Sequence, residues 1–159
     1  MPETCSFIVS SLDETMAFGR RLGEVLFPGA VVALIGPLGA GKTQLVKAVA
    51  EGLGVTDPLC VNSPTFVLIH EYESRLPIYH FDAYRIRSSA EFFDLGVHEY
   101  FEGQGVSLVE WADRVEPCLP SEQLRVAFAI TGATERLIRL EGRGARYAAL
   151  VRDYAIPKR

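Results

Sequence analysis

The sequence predicts an α/β fold, and three of its features carry that prediction. A continuous apolar run, Val31–Ile35, is typical of a buried strand. It leads into GPLGAGKT at residues 36–43, which fits the G-x-x-x-x-G-K-[ST] pattern of a phosphate-binding loop, and residues 44–50 then carry apolar side chains at helical spacing. Two alternating runs, 124–131 and 136–140, predict an antiparallel pair. We therefore expect a mixed parallel and antiparallel sheet flanked by helices, as in P-loop NTPases.

The elements before the loop have clear boundaries in the sequence. Residues 6–9 form a short apolar run that predicts a first strand. Ser11 and Glu14 have the spacing of a helical capping box, and apolar side chains then follow a helical stripe up to Pro28. The helix after the loop is expected to end near Gly52.

Strands and short helices alternate in the second half of the chain. Residues 66–72 and 78–84 are two extended runs separated by a turn, which predicts an antiparallel hairpin. The remaining expected elements are a short helix over 89–94 stopped by Gly96, a turn over 98–101, a strand over 105–111, one helical turn over 112–115 before Pro117, and a C-terminal helix over 145–154.

The loop carries the groups that a nucleotide phosphate needs. Its glycines allow the backbone to turn with positive φ and approach a ligand closely. Successive N–H groups and the N-terminus of the next helix then form an anion site. Lys42 supplies a positive charge for the β- and γ-phosphates, and Thr43 supplies a hydroxyl for Mg²⁺. The expected nucleotide contacts are Gly36, Leu38, Gly39, Ala40, Gly41, Lys42 and Thr43.

A phosphate loop also needs a carboxylate to hold Mg²⁺, usually at the end of a neighbouring strand. Glu110 ends the apolar run 106–109, and Asp82 follows a second, mostly apolar run. We consider both as metal ligands, and either one as the group that orients the attacking water. A solvated strand end or a turn aspartate explains the same positions without a function. The candidate catalytic residues are therefore Lys42, Asp82 and Glu110.

Further candidates lie outside the loop. Ser63 and Thr65 precede an extended run, where they either contact the γ-phosphate and Mg²⁺ or serve turn chemistry. Trp111, the only tryptophan, either stacks beside the nucleotide or packs in the core. Thr15 and Arg136 are candidates for adenine contacts. The N-K-x-D and D-x-x-G motifs of guanine-specific proteins are absent from the sequence, so ATP is the expected nucleotide.

Composition limits the class of protein. The 159 residues, 48% of them hydrophobic, are expected to form a single P-loop ATPase domain over 1–159. No 18-residue apolar run predicts a membrane span, and the N-terminus lacks the pattern of a secretion signal. Three widely spaced cysteines favour a reducing cytoplasm over a disulfide framework. The net charge of −4 argues against strong independent binding to nucleic acid.

Four motifs taken in order resemble the TsaE family (also called YjeE), small P-loop ATPases of bacterial tRNA threonylcarbamoyladenosine synthesis. They are GPLGAGKT at 36–43, NSPTF at 62–66, YHFDAYR at 79–85 and LVEW at 108–111, and the resemblance covers most of the chain. It implies a mixed α/β sheet of P-loop type and an ATPase that is weak alone. It also implies the partners TsaB and TsaD, and contact with tRNA only through their complex. ATP binding and hydrolysis by this protein would reset that complex between turnovers.

The same resemblance implies roles for individual residues. Lys42 corresponds to the phosphate lysine and Thr43 to a Mg²⁺ ligand. Glu110 is similar to the family's Mg²⁺ carboxylate, and Asp82 to its second acidic residue. Ser63-Pro64-Thr65 corresponds to the family's switch-like loop, and Trp111 corresponds to its aromatic position beside the site.

Two alternatives stay open from the residues alone. One is a small-molecule kinase, for which Arg85 and Arg87 are the only candidate lid arginines, and the other is a non-catalytic module that uses ATP for docking.

Pro37 departs from the family pattern, in which Asp usually follows the first loop glycine. Its ring removes one N–H from the loop and fixes φ, so we expect an effect on loop rigidity or partner contact.

Overall fold

A computed structural model describes residues 2–55 and 69–156. In chain order its elements are β1 (Glu3–Val9), α1 (Leu12–Val25), β2 (Val31–Ile35), α2 (Lys42–Gly52), β3 (Ile69–Tyr72), β4 (Ile78–Asp82), α3 (Ser89–Phe93), α4 (Val97–Phe101), β5 (Val106–Glu110), a 3-10 helix (Ala112–Cys118), β6 (Gln123–Ile130), β7 (Arg136–Arg143) and α5 (Ala145–Ala155). The described strands form one sheet in the order β1-β7-β6-β2-β5-β4-β3.

Parallel strands form the centre of this sheet. β2 lies between β5 and β6 and runs parallel to both, and β4 runs parallel to β5. Antiparallel pairs complete the two sides, β6/β7/β1 on one and β4/β3 on the other. The register places both Leu34 and Asp82 opposite Glu110. The carboxyl ends of the central strands therefore meet at one edge of the sheet, which is where ligands bind in open α/β sheets.

Helices cover both faces of the central strands. Because successive side chains of a strand point to opposite faces, Val32 and Leu34 pack on one side with the cores of α1, α2 and α5. Val31 and Ala33 pack on the other side with α3, α4 and the 3-10 helix. The whole of β2 is therefore apolar, as its sequence predicted.

Two glycines let α1 lie close against α2. A Cβ atom on Gly19 would meet the Ala48 Cβ at 2.5 Å, and one on Gly23 would meet the Val49 carbonyl oxygen at 2.3 Å. No larger residue fits at either position without moving a helix. Since α2 carries the end of the phosphate loop, this contact fixes the loop against the rest of the fold.

The predicted capping box at the start of α1 forms with one change. Ser11 Oγ accepts a hydrogen bond from the Glu14 N–H at 3.1 Å, as expected. The Glu14 carboxylate accepts from the Ser10 N–H, which lies one residue before the cap. Two backbone N–H groups at the helix start are thus satisfied locally.

The predicted helices, strands and hairpin within the described residues are confirmed, with changed bounds. β1 begins at Glu3 and β7 extends to Arg143 because the two strands pair along nearly their full length. The turn expected over 98–101 is helix α4. The predicted run at 66–68 and the segment with Ser63 and Thr65 lie outside the described residues.

The helical turn expected before Pro117 was predicted too short, because the 3-10 helix continues to Cys118. A kink at Val115, with φ −129° and ψ 27°, restarts the helix there. Pro117 therefore falls in the first turn of a new segment, where its missing N–H costs no hydrogen bond. None of the helices described is long and apolar enough to cross a membrane.

Candidate nucleotide-binding site

The phosphate loop connects the end of β2 with the start of α2, as the motif predicted. Gly36, Gly39 and Gly41 have φ values of 154°, 80° and 109°, in the region that favours glycine. A Cβ on Gly36 would also lie 2.9 Å from the Phe128 Cβ of the neighbouring strand β6. Nothing lies within 4 Å of a Cβ on Gly39, so the backbone angle alone selects glycine there.

Lys42 begins α2 and turns back into its own loop. Its Nζ donates to the Gly36 and Pro37 carbonyl oxygens, the latter at 3.1 Å, and lies 3.6 Å from the centre of the Trp111 ring. The residue is 5% exposed. Burial lowers the pKa of Lys42, while the negative charges of Glu110, Asp113 and Asp82 act in the opposite direction. The cation is held inside the loop, at the place where a phosphate loop receives its anion.

Thr43, Glu110 and His80 form a continuous chain of hydrogen bonds. Thr43 Oγ1 donates to Glu110 Oε1 at 3.0 Å, and Glu110 Oε2 lies 2.5 Å from His80 Nε2. Glu110 is 2% exposed and ends β5, while His80 is fully buried in β4. Both oxygens of this carboxylate are therefore held by side chains from two different elements.

Asp82 stands beside Glu110 at the end of the neighbouring strand. Its Oδ1 accepts a hydrogen bond from the Tyr84 N–H at 2.9 Å, in an Asx turn that ends β4. Burial raises the pKa of Asp82, and the nearby Glu110 charge raises it further, whereas the Tyr84 N–H, His80 and Arg85 lower it. Asp82 is thus a partly desolvated carboxylate at the mouth of the site, and its proton affinity is increased.

Trp111 directly follows β5 and has an unusual backbone conformation. Its φ of 59° is the only positive value among the non-glycine residues described, and it stops the strand one residue earlier than predicted. The ring packs on Tyr84 with centroids 4.9 Å apart, and the Arg114 guanidinium lies 5.1 Å from the Tyr84 ring. A large residue at positive φ costs about 1–3 kcal/mol, and such strain clusters at functional sites.

The described residues form two cavities that adjoin the phosphate loop. The first, of about 360 Å³, is lined by Leu38, Gly39, Ala40, Gly41, Lys42, Thr43, Gln44, Asp82, Tyr84, Glu110 and Trp111. The second, of about 380 Å³, is lined by Ser10, Ser11, Leu12, Thr15, Gly39, Ala40, Gly41, Gln44, Ala133, Thr134 and Arg136. The loop residues 39–41 and Gln44 belong to both, so the two cavities adjoin each other at the loop.

The structure brings together most of the residues selected from the sequence. Eleven of them line one cavity or the other. The first is lined by Leu38, Gly39, Ala40, Gly41, Lys42, Thr43, Asp82, Glu110 and Trp111, and the second shares Gly39, Ala40 and Gly41 and adds Thr15 and Arg136. Gly36 starts the loop but lines neither cavity. Ser63 and Thr65 lie outside the described residues. Arg85 and Arg87, the candidate lid arginines, line neither cavity, although Arg85 is near enough to Asp82 to lower the pKa of that carboxyl.

The sequence analysis assigned no individual role to Gln44, Tyr84 or His80. Gln44 directly follows the motif and lines both cavities, and Tyr84 lines the first. His80 lies two residues before Asp82 on the same strand, and this spacing puts both side chains on one face of the sheet. Strand periodicity was therefore a signal that could have linked His80 to the carboxylates.

The ligand set suits Mg²⁺. Thr43 and Glu110 present hard oxygen donors within hydrogen-bond distance of each other, and Asp82 adds a second carboxylate nearby. Among residues 2–55 and 69–156 no group of three or more His, Cys, Asp or Glu side chains is placed to hold a metal. This set agrees with how Mg²⁺ binds, through one or two carboxylates together with substrate phosphates rather than in an all-protein cage.

Comparison with known proteins identifies a family for this chain. The family model for threonylcarbamoyl adenosine biosynthesis protein TsaE matches residues 9–138. The tRNA threonylcarbamoyladenosine biosynthesis protein TsaE of Bacillus subtilis is 46% identical over 142 residues, which cover 89% of this chain and 87% of that protein. The TsaE protein of Treponema pallidum is 40% identical, over 80% of this chain and 93% of its own length.

A solved structure gives the same result for the fold. The crystal structure of Bacillus subtilis YdiB matches with a TM-score of 0.84 and 38% identity, over 98% of this chain and 96% of that one. The predicted fold, a P-loop NTPase-like mixed sheet flanked by helices, is thereby confirmed. Sequence, fold and relatives agree that the chain belongs to the TsaE family of tRNA threonylcarbamoyladenosine biosynthesis.

Proposed function

We propose that this protein binds and hydrolyses ATP with Mg²⁺ and so drives turnover of the TsaB–TsaD complex in tRNA threonylcarbamoyladenosine modification. The observation that carries the proposal is the convergence of Lys42, Thr43, Asp82 and Glu110 around the phosphate loop. These groups come from three elements, α2, β4 and β5, and a structural role for the loop alone would not require them to meet. The activity is expected to be low without partners and to take place in the cytoplasm.

The two cavities support a position for the whole nucleotide. The triphosphate would lie in the loop, against the N-terminus of α2, which favours negative charge. The adenosine would lie in the second cavity, where Thr15 and Arg136 supply polar contacts. Binding requires Lys42 to exchange the Gly36 and Pro37 carbonyls for phosphate oxygens.

The two carboxylates have different environments, which supports different roles. Glu110 already holds Thr43, so we assign this pair to the Mg²⁺ ion, which would neutralise charge on the phosphates when bound. Asp82 is less engaged, and its raised pKa suits a group that accepts a hydrogen bond from the attacking water. Lys42 would stabilise the charge that develops on the γ-phosphate oxygens.

The test combines this protein with purified TsaB and TsaD. Phosphate release and multiple-turnover modification of tRNA are measured for the wild type, Lys42→Ala, Glu110→Ala and Lys47→Ala. Lys47 is the matched control, because it is the other lysine of α2 and lines neither cavity. We expect Lys42→Ala and Glu110→Ala to lower both rates by about 10²–10³-fold, and Lys47→Ala to leave them unchanged.

Each other result selects a different function. If the wild type neither binds TsaB–TsaD nor stimulates their turnover, the proposed function is wrong. If Glu110→Ala supports tRNA modification at the wild-type rate, the protein is a non-catalytic docking module. A ³¹P signal from a phosphorylated metabolite, in place of free phosphate, would identify a small-molecule kinase.

A further inference from the structure

The buried histidine of β4 has no place in the function proposed so far. His80 is fully buried, and its Nε2 lies 2.5 Å from Glu110 Oε2. Its Nδ1 has no hydrogen-bond partner in the part of the chain described here. The histidine thus makes one polar contact, and that contact is with the carboxylate at the centre of the site.

The bonding pattern determines which ring nitrogen carries the proton. Glu110 Oε1 accepts from the Thr43 hydroxyl, and Oε2 needs a donor of its own because the residue is buried. His80 Nε2 is the donor within reach, so the ring proton lies on Nε2 and points at Glu110.

Strand geometry explains why His80 can fix the orientation of Glu110. β4 and β5 are parallel, and Asp82 and Glu110 are paired at their ends, while His80 is paired with Leu108 two residues earlier. The ring therefore lies behind Glu110, on the core side, and Thr43 lies in front of it, on the cavity side. One carboxylate oxygen is held by each, which leaves the group little rotational freedom.

We propose that His80 is a positioning residue, which orients Glu110 so that Oε1 faces Thr43 and the divalent cation. The proposal rests on the proposed function, since it assigns Glu110 to the metal. Carboxylates that bind metals are commonly held by outer hydrogen bonds, and losing such a partner costs about 10–100-fold in metal affinity. A purely structural histidine would affect folding stability and leave metal affinity as it is.

The test measures metal affinity separately from nucleotide affinity. Free Mn²⁺ is counted by electron paramagnetic resonance during titration of the protein–ADP complex, and the affinity for a fluorescent ADP analogue is measured in EDTA. The variants are His80→Leu, which removes the donor, and His80→Gln, whose amide N–H₂ can replace Nε2. His80→Asn is a second loss variant, because its amide ends closer to the backbone. Ser107→Ala is the matched control, a buried polar side chain of β5 with no partner among the described residues.

We expect His80→Leu and His80→Asn to weaken Mn²⁺ binding by about 10–100-fold while metal-free nucleotide affinity stays unchanged. His80→Gln should recover most of the loss, and Ser107→Ala should match the wild type. The proposal is wrong if a loss variant that circular dichroism shows to be folded binds Mn²⁺ with wild-type affinity. The proposal is also wrong if His80→Gln loses as much Mn²⁺ affinity as His80→Asn. A wild type that binds ADP but no Mn²⁺ would overturn this inference and the metal assignment, whereas one that binds no nucleotide would refute the proposed function itself.

Discussion

The close contact between α1 and α2 makes a prediction that can be worked out from the structure. In Gly23→Ala the new methyl group would lie 2.3 Å from the Val49 carbonyl oxygen, and ordinary contact begins at 3.4 Å. Alanine favours a helix over glycine by about 1 kcal/mol, so propensity alone predicts stabilisation. Against this, the helices must separate by about 1 Å, and overpacking of this kind costs about 1–3 kcal/mol or more.

Packing should prevail, because the opposing atom at Gly23 belongs to the backbone of α2 and cannot rotate away. We expect Gly23→Ala to lower the free energy of unfolding by about 1–2 kcal/mol and Tm by about 2–8 °C, measured by calorimetry. Nucleotide affinity should also fall, because α2 carries Lys42 and Thr43 at its start.

Gly19 provides the internal control for this reasoning. There the methyl group of Gly19→Ala would meet the Ala48 Cβ at 2.5 Å, a side-chain atom that can be removed. The double variant Gly19→Ala/Ala48→Gly transfers the methyl group from α2 to α1, so it should recover part of the loss seen in Gly19→Ala. The recovery should be incomplete, because the methyl group on residue 19 would still lie 3.1 Å from the Leu45 carbonyl oxygen. The glycine introduced into α2 also costs about 1 kcal/mol in helix propensity. A Gly23→Ala protein as stable as the wild type, or more stable, would refute the argument.

Three further predictions concern the site. Lys42→Met should abolish ATP binding in a fluorescence titration without lowering Tm, because it removes a charge that burial disfavours; a lower Tm would show that Lys42 supports the fold. Burial raises the pKa of Asp82, so ionising this carboxyl costs more free energy in the folded protein than in the unfolded chain. The free energy of unfolding therefore falls as the pH rises from the ordinary Asp pKa to the raised one. Asp82→Asn, which keeps the acceptor for Tyr84, should therefore raise Tm at neutral pH, with a gain that disappears in acid, and a pH-independent gain would contradict the assignment. Trp111 is the only tryptophan and lies over Lys42, so ATP should change its emission in the wild type and have no effect in Lys42→Met.

Local patterns in the sequence were sufficient for the centre of the fold. The apolar run of β2, the glycine pattern of the loop and the helical spacing of α2 each depend on neighbours along the chain, and all three formed as predicted. The late hairpin, β6 with β7, was predictable for the same reason. That the 159 residues act as one domain stays a prediction.

Long-range contacts set the limits of that prediction. Nothing in the run of β1 indicates that it pairs with β7, more than a hundred residues later in the chain, and nothing in β2 indicates that it lies between β5 and β6. The positive φ of Trp111 was equally invisible, because a tryptophan avoids that region unless tertiary contacts hold it there. The spacing of His80 and Asp82 places them on one face of a strand, but the contact of His80 with Glu110 depends on the pairing of β4 with β5, which the sequence does not show.

The contacts of Pro37 give this departure from the family pattern a physical meaning. Its carbonyl oxygen accepts from Lys42 Nζ at 3.1 Å and from the Ala40 N–H at 3.2 Å, so it closes the loop on itself. The proline ring fixes φ and thereby limits the directions in which this carbonyl can point. The Pro37 carbonyl, the Gly36 carbonyl and the Trp111 ring together give the Lys42 ammonium group its contacts within the protein.

The other polar groups of the site are satisfied in the same way. Glu110 is held by Thr43 and His80, and Asp82 by the Tyr84 N–H. An incoming nucleotide must replace some of these contacts, so its affinity is the difference between new and old interactions rather than the sum of the new ones. The Trp111 ring lines the first cavity and contacts Lys42 from outside the loop. Displacing this ring would remove one of the contacts that hold Lys42, while the Gly36 and Pro37 carbonyls would still compete with a phosphate for the ammonium group.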